Sequence, residues 1–209
     1  LYDERDFVLS GFHAVADHLA GWDVDSTEAY NYLQNRLDSV GREKIFDHLL
    51  EHLAGGVCRQ RIQKMVQIYR GHHPQIDLFP GTVEVLRYMR RRGRVVIVTD
   101  GLPEVQQRKV KALGLDKMVD QIVYCWATGY PKPDPRSLVG IVKQGDPKAL
   151  MIGDREDHDM MMAHALNIDT LRVYKRSPAP INSYEKSFLY KADLSQLSAL
   201  LYNHKDQTS

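Results

Sequence analysis

The 209 residues carry 28 Lys and Arg against 27 Asp and Glu, a formal net charge of +1, and 43% of them are apolar. That balance provides no global attraction to nucleic acid or to an anionic membrane, and no apolar run approaches the roughly 18 residues that a membrane-spanning helix needs. The length suits one core domain with a small insertion, and two cysteines, Cys58 and Cys125, far apart and in no zinc or CxxC spacing, point to a reducing compartment such as the cytoplasm.

The chain opens as a helical block. Phe7, Phe12, Val15, Ala16 and Leu19 recur at helical spacing, and Gly21-Trp22-Asp23 ends that helix. Ser26 or Thr27 is the predicted cap of a second helix with Tyr30, Leu33 and Leu37 on its apolar stripe. Ile45, Leu49, Leu50 and Leu53 mark a third helix, stopped at Gly55-Gly56, and Ile62, Met65, Val66 and Tyr69 mark a fourth, stopped at Gly71. No strand is predicted before about residue 94.

From Phe79-Pro80-Gly81 onward, helix and strand alternate. The pattern predicts a helix over 83–92, a strand over 94–99, a helix over 105–113 and a strand over 121–124. A helix over 135–144, a strand over 149–153, a helix over 159–166 and a strand over 170–173 follow. A Ser- and Pro-rich stretch, 177–183, leads to a last predicted helix, 194–202. Alternation of this kind implies an α/β protein with a parallel sheet and helices on both faces.

Three segments carry chemistry. Val95-Val96-Ile97-Val98-Thr99-Asp100-Gly101 reads as a buried strand ending in a hydroxyl, a carboxylate and a glycine. The hydroxyl and the backbone N–H groups around Gly101 are suited to cradle a phosphate. In Gly129-Tyr130-Pro131-Lys132-Pro133-Asp134-Pro135, prolines on either side restrict the backbone of Lys132 and fit it to act as a point charge on an anion. The third segment, Met151 to Asp159, ends a short apolar strand in Gly153-Asp154 and places a second carboxylate, Asp159, five residues on. Taken alone, it reads either as a helix cap with a dipole-stabilising carboxylate or as a pair of acids converging on a hard cation such as Mg²⁺.

Other features read as ordinary structure. Arg90-Arg91-Arg92-Gly93-Arg94 sits at a helix end, where cations complement the dipole, rather than on a nucleic-acid surface. His158 and His164, six apart, do not share a helix face for a joint zinc site. Tyr32, Arg36, Arg59, Arg61 and Tyr69 are candidates for substrate contact in the helical block, with no basis for choosing among them.

A strand ending in Thr99, then a Lys-Pro-Asp-Pro loop at Lys132, then a strand ending in Gly153-Asp154 with Asp159 closely following resembles the haloacid dehalogenase (HAD) superfamily. Both the order and the spacings match, as does the helix after Gly101 with Gln107, Lys109 and the closing Ala112-Leu113-Gly114-Leu115. The resemblance implies a Rossmann-like three-layer parallel sheet with a small helical cap. Residues 1–8 would be a remnant of the core entry or hinge, 9–77 the cap and 78–209 the core.

The resemblance also implies roles. Thr99, with Asp100 and Gly101, would bind the transferring phosphoryl group, and Lys132 would neutralise it. Asp154 and Asp159 would hold Mg²⁺, with Asp157 as the alternative second acid. The implied activity is Mg²⁺-dependent hydrolysis of a small soluble phosphorylated metabolite through an aspartyl phosphate. The implied protein is a monomer or homodimer without nucleic-acid or membrane partners. A non-catalytic HAD-like binding or scaffold protein, a phosphomutase and a dehalogenase remain the alternatives.

One departure qualifies the match. The family's first motif, Asp-x-Asp-Gly-Thr at the end of the first strand, supplies the nucleophile and the general acid/base, and that full motif occurs nowhere in the 209 residues. Leu1-Tyr2-Asp3-Glu4-Arg5 resembles the residues that directly follow it. The expectation is a segment whose first, central strand lies upstream of Leu1.

Overall fold

Residues 2–77 and residue 1 with 78–209 form two units of the computed structural model, which describes residues 1–53, 55–174 and 188–190. The predicted stretch 177–183 and the predicted helix 194–202 lie outside the described residues.

The first unit contains helices α1 (Glu4–Leu19), α2 (Ser26–Ser39), α3 (Ile45–Leu53) and α4 (Arg59–Gly71). Asp3 caps α1 by accepting the Arg5 N–H at 3.0 Å, which satisfies one of the donors a helix start leaves open. α1 ends in a 3₁₀ turn, Ala20–Trp22, and Asp23 then takes a left-handed conformation at φ 59°. The cap of α2 is Asp25, not Ser26 or Thr27. Asp25 is extended and accepts the Glu28 N–H at 2.8 Å, whereas Ser26 is already helical.

Apolar residues at helical spacing bury Phe7, Phe12, Val15, Leu19, Leu33, Leu49, Leu50 and Met65 in this unit's core. Phe12 meets the edge of Phe46 and the tilted ring of Tyr69, with centroids 6.3 and 6.0 Å apart. Gly11 makes room for that cluster, because a Cβ there would lie 2.5 Å from the Tyr69 ring.

In the second unit, α5 (Thr82–Arg90) leads to β1 (Val96–Thr99), α6 (Pro103–Ala112), β2 (Gln121–Tyr124) and the short α7 (Cys125–Thr128). Then come β3 (Leu150–Gly153), α8 (Met161–Leu166), β4 (Asp169–Tyr174) and β5 (Phe188–Tyr190). β1 pairs with β2 in parallel, Val96 opposite Gln121 and Thr99 opposite Tyr124. β3 pairs with β4, Gly153 opposite Arg172, and β4 with β5, again in parallel.

The sheet is therefore in two pieces, β1-β2 and β3-β4-β5, in keeping with a Rossmann-like sheet that lacks a central strand. One apolar core serves both pieces: Val123, Cys125, Leu138, Met151, Met160, Met162 and Ala163 are buried together, with Val96 and Val98 packed against them. The helix predicted over 135–144 does not form. A 3₁₀ turn spans Pro135–Leu138, Val139 leaves the helical region at φ −56° and ψ 130°, and Gly140 turns left-handed at φ 78°. Val139-Gly140-Ile141-Val142 is a run of poor helix formers, and Val139, 77% exposed, gains no burial to offset that. The helix predicted over 159–166 begins as a π turn, Glu156–Met160, before α8.

Gly11→Ala is expected to destabilise the protein by about 1–3 kcal/mol despite the better helix propensity of alanine, because the Tyr69 ring must shift. Urea denaturation of the variant checks this, and an unchanged or raised midpoint would contradict the packing described.

Candidate functional site

The carboxyl ends of β1 and β3 bring the sequence motifs together in the second unit. Open parallel sheets bind ligands at such ends because the loops there are free to carry side chains while the strands fix their position. Thr99 is the last residue of β1. Its hydroxyl donates to Gln106 Oε1 at 2.8 Å, from a position one turn inside α6. Gly101, at φ 113°, keeps that corner open, since a Cβ there would approach the Gln106 side chain to 3.0 Å.

Lys132 is held from several directions. Its ammonium donates to the Val98 carbonyl at 2.8 Å and to Asp159 Oδ1 at 2.6 Å. Its backbone N–H donates to Asp100 Oδ1 at 2.9 Å. The Lys132 and Asp159 side chains are each only 11% exposed. The second Asp159 oxygen accepts the Arg155 N–H at 3.2 Å, which folds the carboxylate back over the turn that begins α8. Gly153 is what permits this, because a Cβ there would lie 2.5 Å from both Cβ and Oδ2 of Asp159.

Asp154 follows directly at the end of β3 and is exposed. Among the described residues, no group of three His, Cys, Asp or Glu side chains is arranged to hold an ion. Mg²⁺ does not require such a group, since it uses one or two carboxylates and completes its shell with water and substrate phosphate. Asp154 offers a hard oxygen donor at the strand ends, and that donor chemistry fits Mg²⁺. Asp159 is committed to Lys132 and the Arg155 N–H. Asp157 lies on the surface with Arg155 at 2.8 Å, a hydrogen bond that holds its carboxyl below the usual range.

The structure thus links Asp100, Lys132 and Asp159 by hydrogen bonds, with Thr99 and Gly101 flanking Asp100 in the chain and Asp154 directly after Gly153. Gln106 and Trp126 were not identified from the sequence, and Gly153 only as the strand end, not for the space it leaves. Gln106, rather than the exposed Gln107, faces Thr99. It lies seven residues after Thr99, three before the buried Lys109 and four before the buried Val110, and this helical spacing is the signal that marks the inward face. Trp126, 48% exposed, donates its indole N–H to Asp100 Oδ2 at 3.1 Å. Gly153 carries no side-chain signal at all. The run Asp23-Val24-Asp25 is an Asp-x-Asp sequence, but it follows a 3₁₀ turn and Asp25 serves as a helix cap.

Cys125 is fully buried behind this group, with its thiol 3.7 Å from the Ser137 hydroxyl. Burial pushes the thiol's pKa up, and the Ser137 hydrogen bond and the positive charge of Lys132 oppose that only in part.

The haloacid dehalogenase-like hydrolase profile matches residues 1–173. The glyceraldehyde 3-phosphate phosphatase of Methanocaldococcus jannaschii is 27% identical over 216 residues, covering 98% of this chain and 94% of that protein. A phosphoserine phosphatase of Thermus thermophilus is 27% identical over 139 residues, covering 63% of this chain and 54% of that protein. In fold, the chain is similar to a HAD hydrolase of Bacillus subtilis solved bound to magnesium (18% identity, TM-score 0.62, 90% of each chain). It is also similar to a 2-haloacid dehalogenase of Pseudomonas syringae (19% identity, TM-score 0.64, 98% of this chain and 94% of that one).

Two outcomes are expected. Gly153→Ala displaces Asp159 and lowers the urea midpoint by an amount worth about 1–3 kcal/mol, and an unaltered midpoint would contradict the close approach. Because the thiolate is the reactive form and burial disfavours it, iodoacetamide at mildly alkaline pH labels Cys58 in the native protein and leaves Cys125 unmodified until denaturant is added. Mass spectrometry of the alkylated peptides reads the difference.

Proposed function

The chain belongs to the haloacid dehalogenase-like hydrolases, and from that membership and the site geometry we propose that it is a phosphatase acting on a small phosphorylated metabolite with Mg²⁺ as its metal. The observation that carries this reading is the Lys132 ammonium, held 2.8 Å from the carbonyl of Val98, the residue before Thr99 at the end of β1. A fixed cation and a hydroxyl donor at strand ends suit the equatorial oxygens of a phosphoryl group, where charge develops during transfer. The phosphatase names of the M. jannaschii and T. thermophilus relatives support the same reading.

Thr99 would donate its hydroxyl to a phosphoryl oxygen, while Gln106 holds the side chain in place. The Gly101 corner would present backbone N–H groups to the same anion. Lys132 would neutralise the bound phosphate, and Asp159 would keep the ammonium aimed. Asp154 would hold Mg²⁺, whose chemistry here is to neutralise phosphate charge as a Lewis acid.

The attacking carboxylate is not assigned among these residues. Asp25, Asp100 and Asp159 each accept N–H donors in structural positions. No helix among the described residues is long and apolar enough to cross a membrane, and two free thiols fit a cytoplasmic setting.

Release of inorganic phosphate from a panel of small phosphomonoesters by the full-length protein tests the proposal. Hydrolysis is expected with Mg²⁺ and is expected to stop with EDTA. Lys132→Met and Asp154→Asn are each expected to lower kcat/KM by about 10²–10³, and Thr99→Ala by at least about tenfold. Equal activity of Asp154→Asn and the unaltered protein, with or without chelator, would overturn the metal assignment.

A further inference from the structure

We propose that Asp100 and Trp126 form a positioning pair for Lys132, in which the Asp100 carboxylate grips the lysine loop and does not contact phosphate. This rests on the phosphatase reading above. Asp100 directly follows the phosphate-binding candidate Thr99, where a second negative charge would repel a bound dianion. Its carboxylate is instead turned to two donors: Oδ1 accepts the Lys132 backbone N–H at 2.9 Å, and Oδ2 accepts the Trp126 indole N–H at 3.1 Å.

Three separate segments meet at this one side chain: the end of β1, the short α7 after β2, and the Pro131-Lys132-Pro133 loop. Lys132 is therefore fixed at both ends, its backbone by Asp100 and its ammonium by Val98 and Asp159. A lysine side chain is otherwise long and flexible, so fixing its root prepares the charge for the anion before binding. Trp126 is 48% exposed, so apolar burial does not account for its placement, while its hydrogen bond to Asp100 sets the indole edge.

Both partners of Asp100 are obligate donors, since neither a backbone amide nor an indole nitrogen accepts. Only a group that accepts on both sides satisfies them. Asparagine has the same shape but one accepting end. In Asp100→Asn the amide group must face a donor, either the indole or the Lys132 N–H. Replacing Trp126 by Phe removes one donor, and the asparagine then turns its oxygen to Lys132 without conflict.

The test is a double-mutant cycle in the full-length protein, with kcat and KM for a hydrolysed phosphomonoester as one readout. The backbone N–H resonance of Lys132 and the indole N–H resonance of Trp126 are the other; the chain has two tryptophans, and Trp126→Phe assigns the signal. Trp126→Phe is expected to lower kcat/KM by about threefold, and Asp100→Asn to lower it about tenfold or more. The double variant is expected to recover most of that loss, a sign reversal that general destabilisation does not produce. Asp100→Asn is also expected to shift both resonances, and this holds whether or not the protein hydrolyses any ester tested.

Activity in the unaltered protein with a neutral Asp100→Asn, or with losses that add in the double variant, would overturn the pairing and leave the phosphatase reading standing. No hydrolysis by the unaltered protein, with both resonances still shifting, would keep the pairing and remove the phosphatase reading. Should Asp100→Asn fail to fold, recovery of fold and activity in the double variant supports the pairing, and its failure as well overturns it.

Discussion

A lysine ammonium with little access to water must be neutralised where it sits, and Lys132 meets that demand through Asp159 at 2.6 Å, each side chain 11% exposed. The pair sits at the strand ends of the second unit. Among the described residues, that unit's two sheet pieces are not joined by a backbone ladder. The lysine links their ends, bonding the Val98 carbonyl of β1 on one side and the carboxylate that follows β3 on the other. Removing either partner would leave a charge stranded, a loss of about 3–5 kcal/mol for pairs of this kind, and Gly153 is constrained because the carboxylate needs the space a Cβ would fill.

Under the proposed function, the contacts that stabilise this corner would also ready it for an anion. Each group with a proposed role toward phosphate has a second residue holding it: Gln106 for the Thr99 hydroxyl, Asp159 for the Lys132 ammonium, and Asp100 with Trp126 for the loop that carries Lys132. Charge fixed in advance gains more from a developing negative charge than charge that must be ordered during the reaction. Asp154 contributes differently, as an exposed oxygen donor at the end of β3, and this suits a cation that retains most of its water.

Much of this was legible in the sequence, for identifiable reasons. The helices of the first unit announce themselves because Phe7, Phe12, Val15 and Leu19 repeat at helical spacing and are all buried. The strands at 96–99, 121–124 and 150–153 are short apolar runs closed by turn residues, and Thr99, Lys132, Asp154 and Asp159 lie at fixed spacings around them. What escaped depends on partners distant in sequence or on conformations that pattern does not encode. Asp25 rather than Ser26 caps α2 because cap identity turns on which residue first leaves the helical region. The 135–144 stretch has helical apolar spacing, yet Gly140 takes a positive φ and the run 139–142 is intrinsically weak in helices. Trp126 meets Asp100 across 26 positions, and no local pattern records that contact.

The most direct measurement is a crystal structure of the full-length protein grown with Mg²⁺ and vanadate, a mimic of the phosphoryl group in transfer. The account predicts vanadate within hydrogen-bonding reach of Thr99 Oγ1 and Lys132 Nζ, Mg²⁺ on Asp154, and Asp159 still paired with Lys132. Vanadate bound elsewhere, with Thr99 and Lys132 untouched, would contradict it.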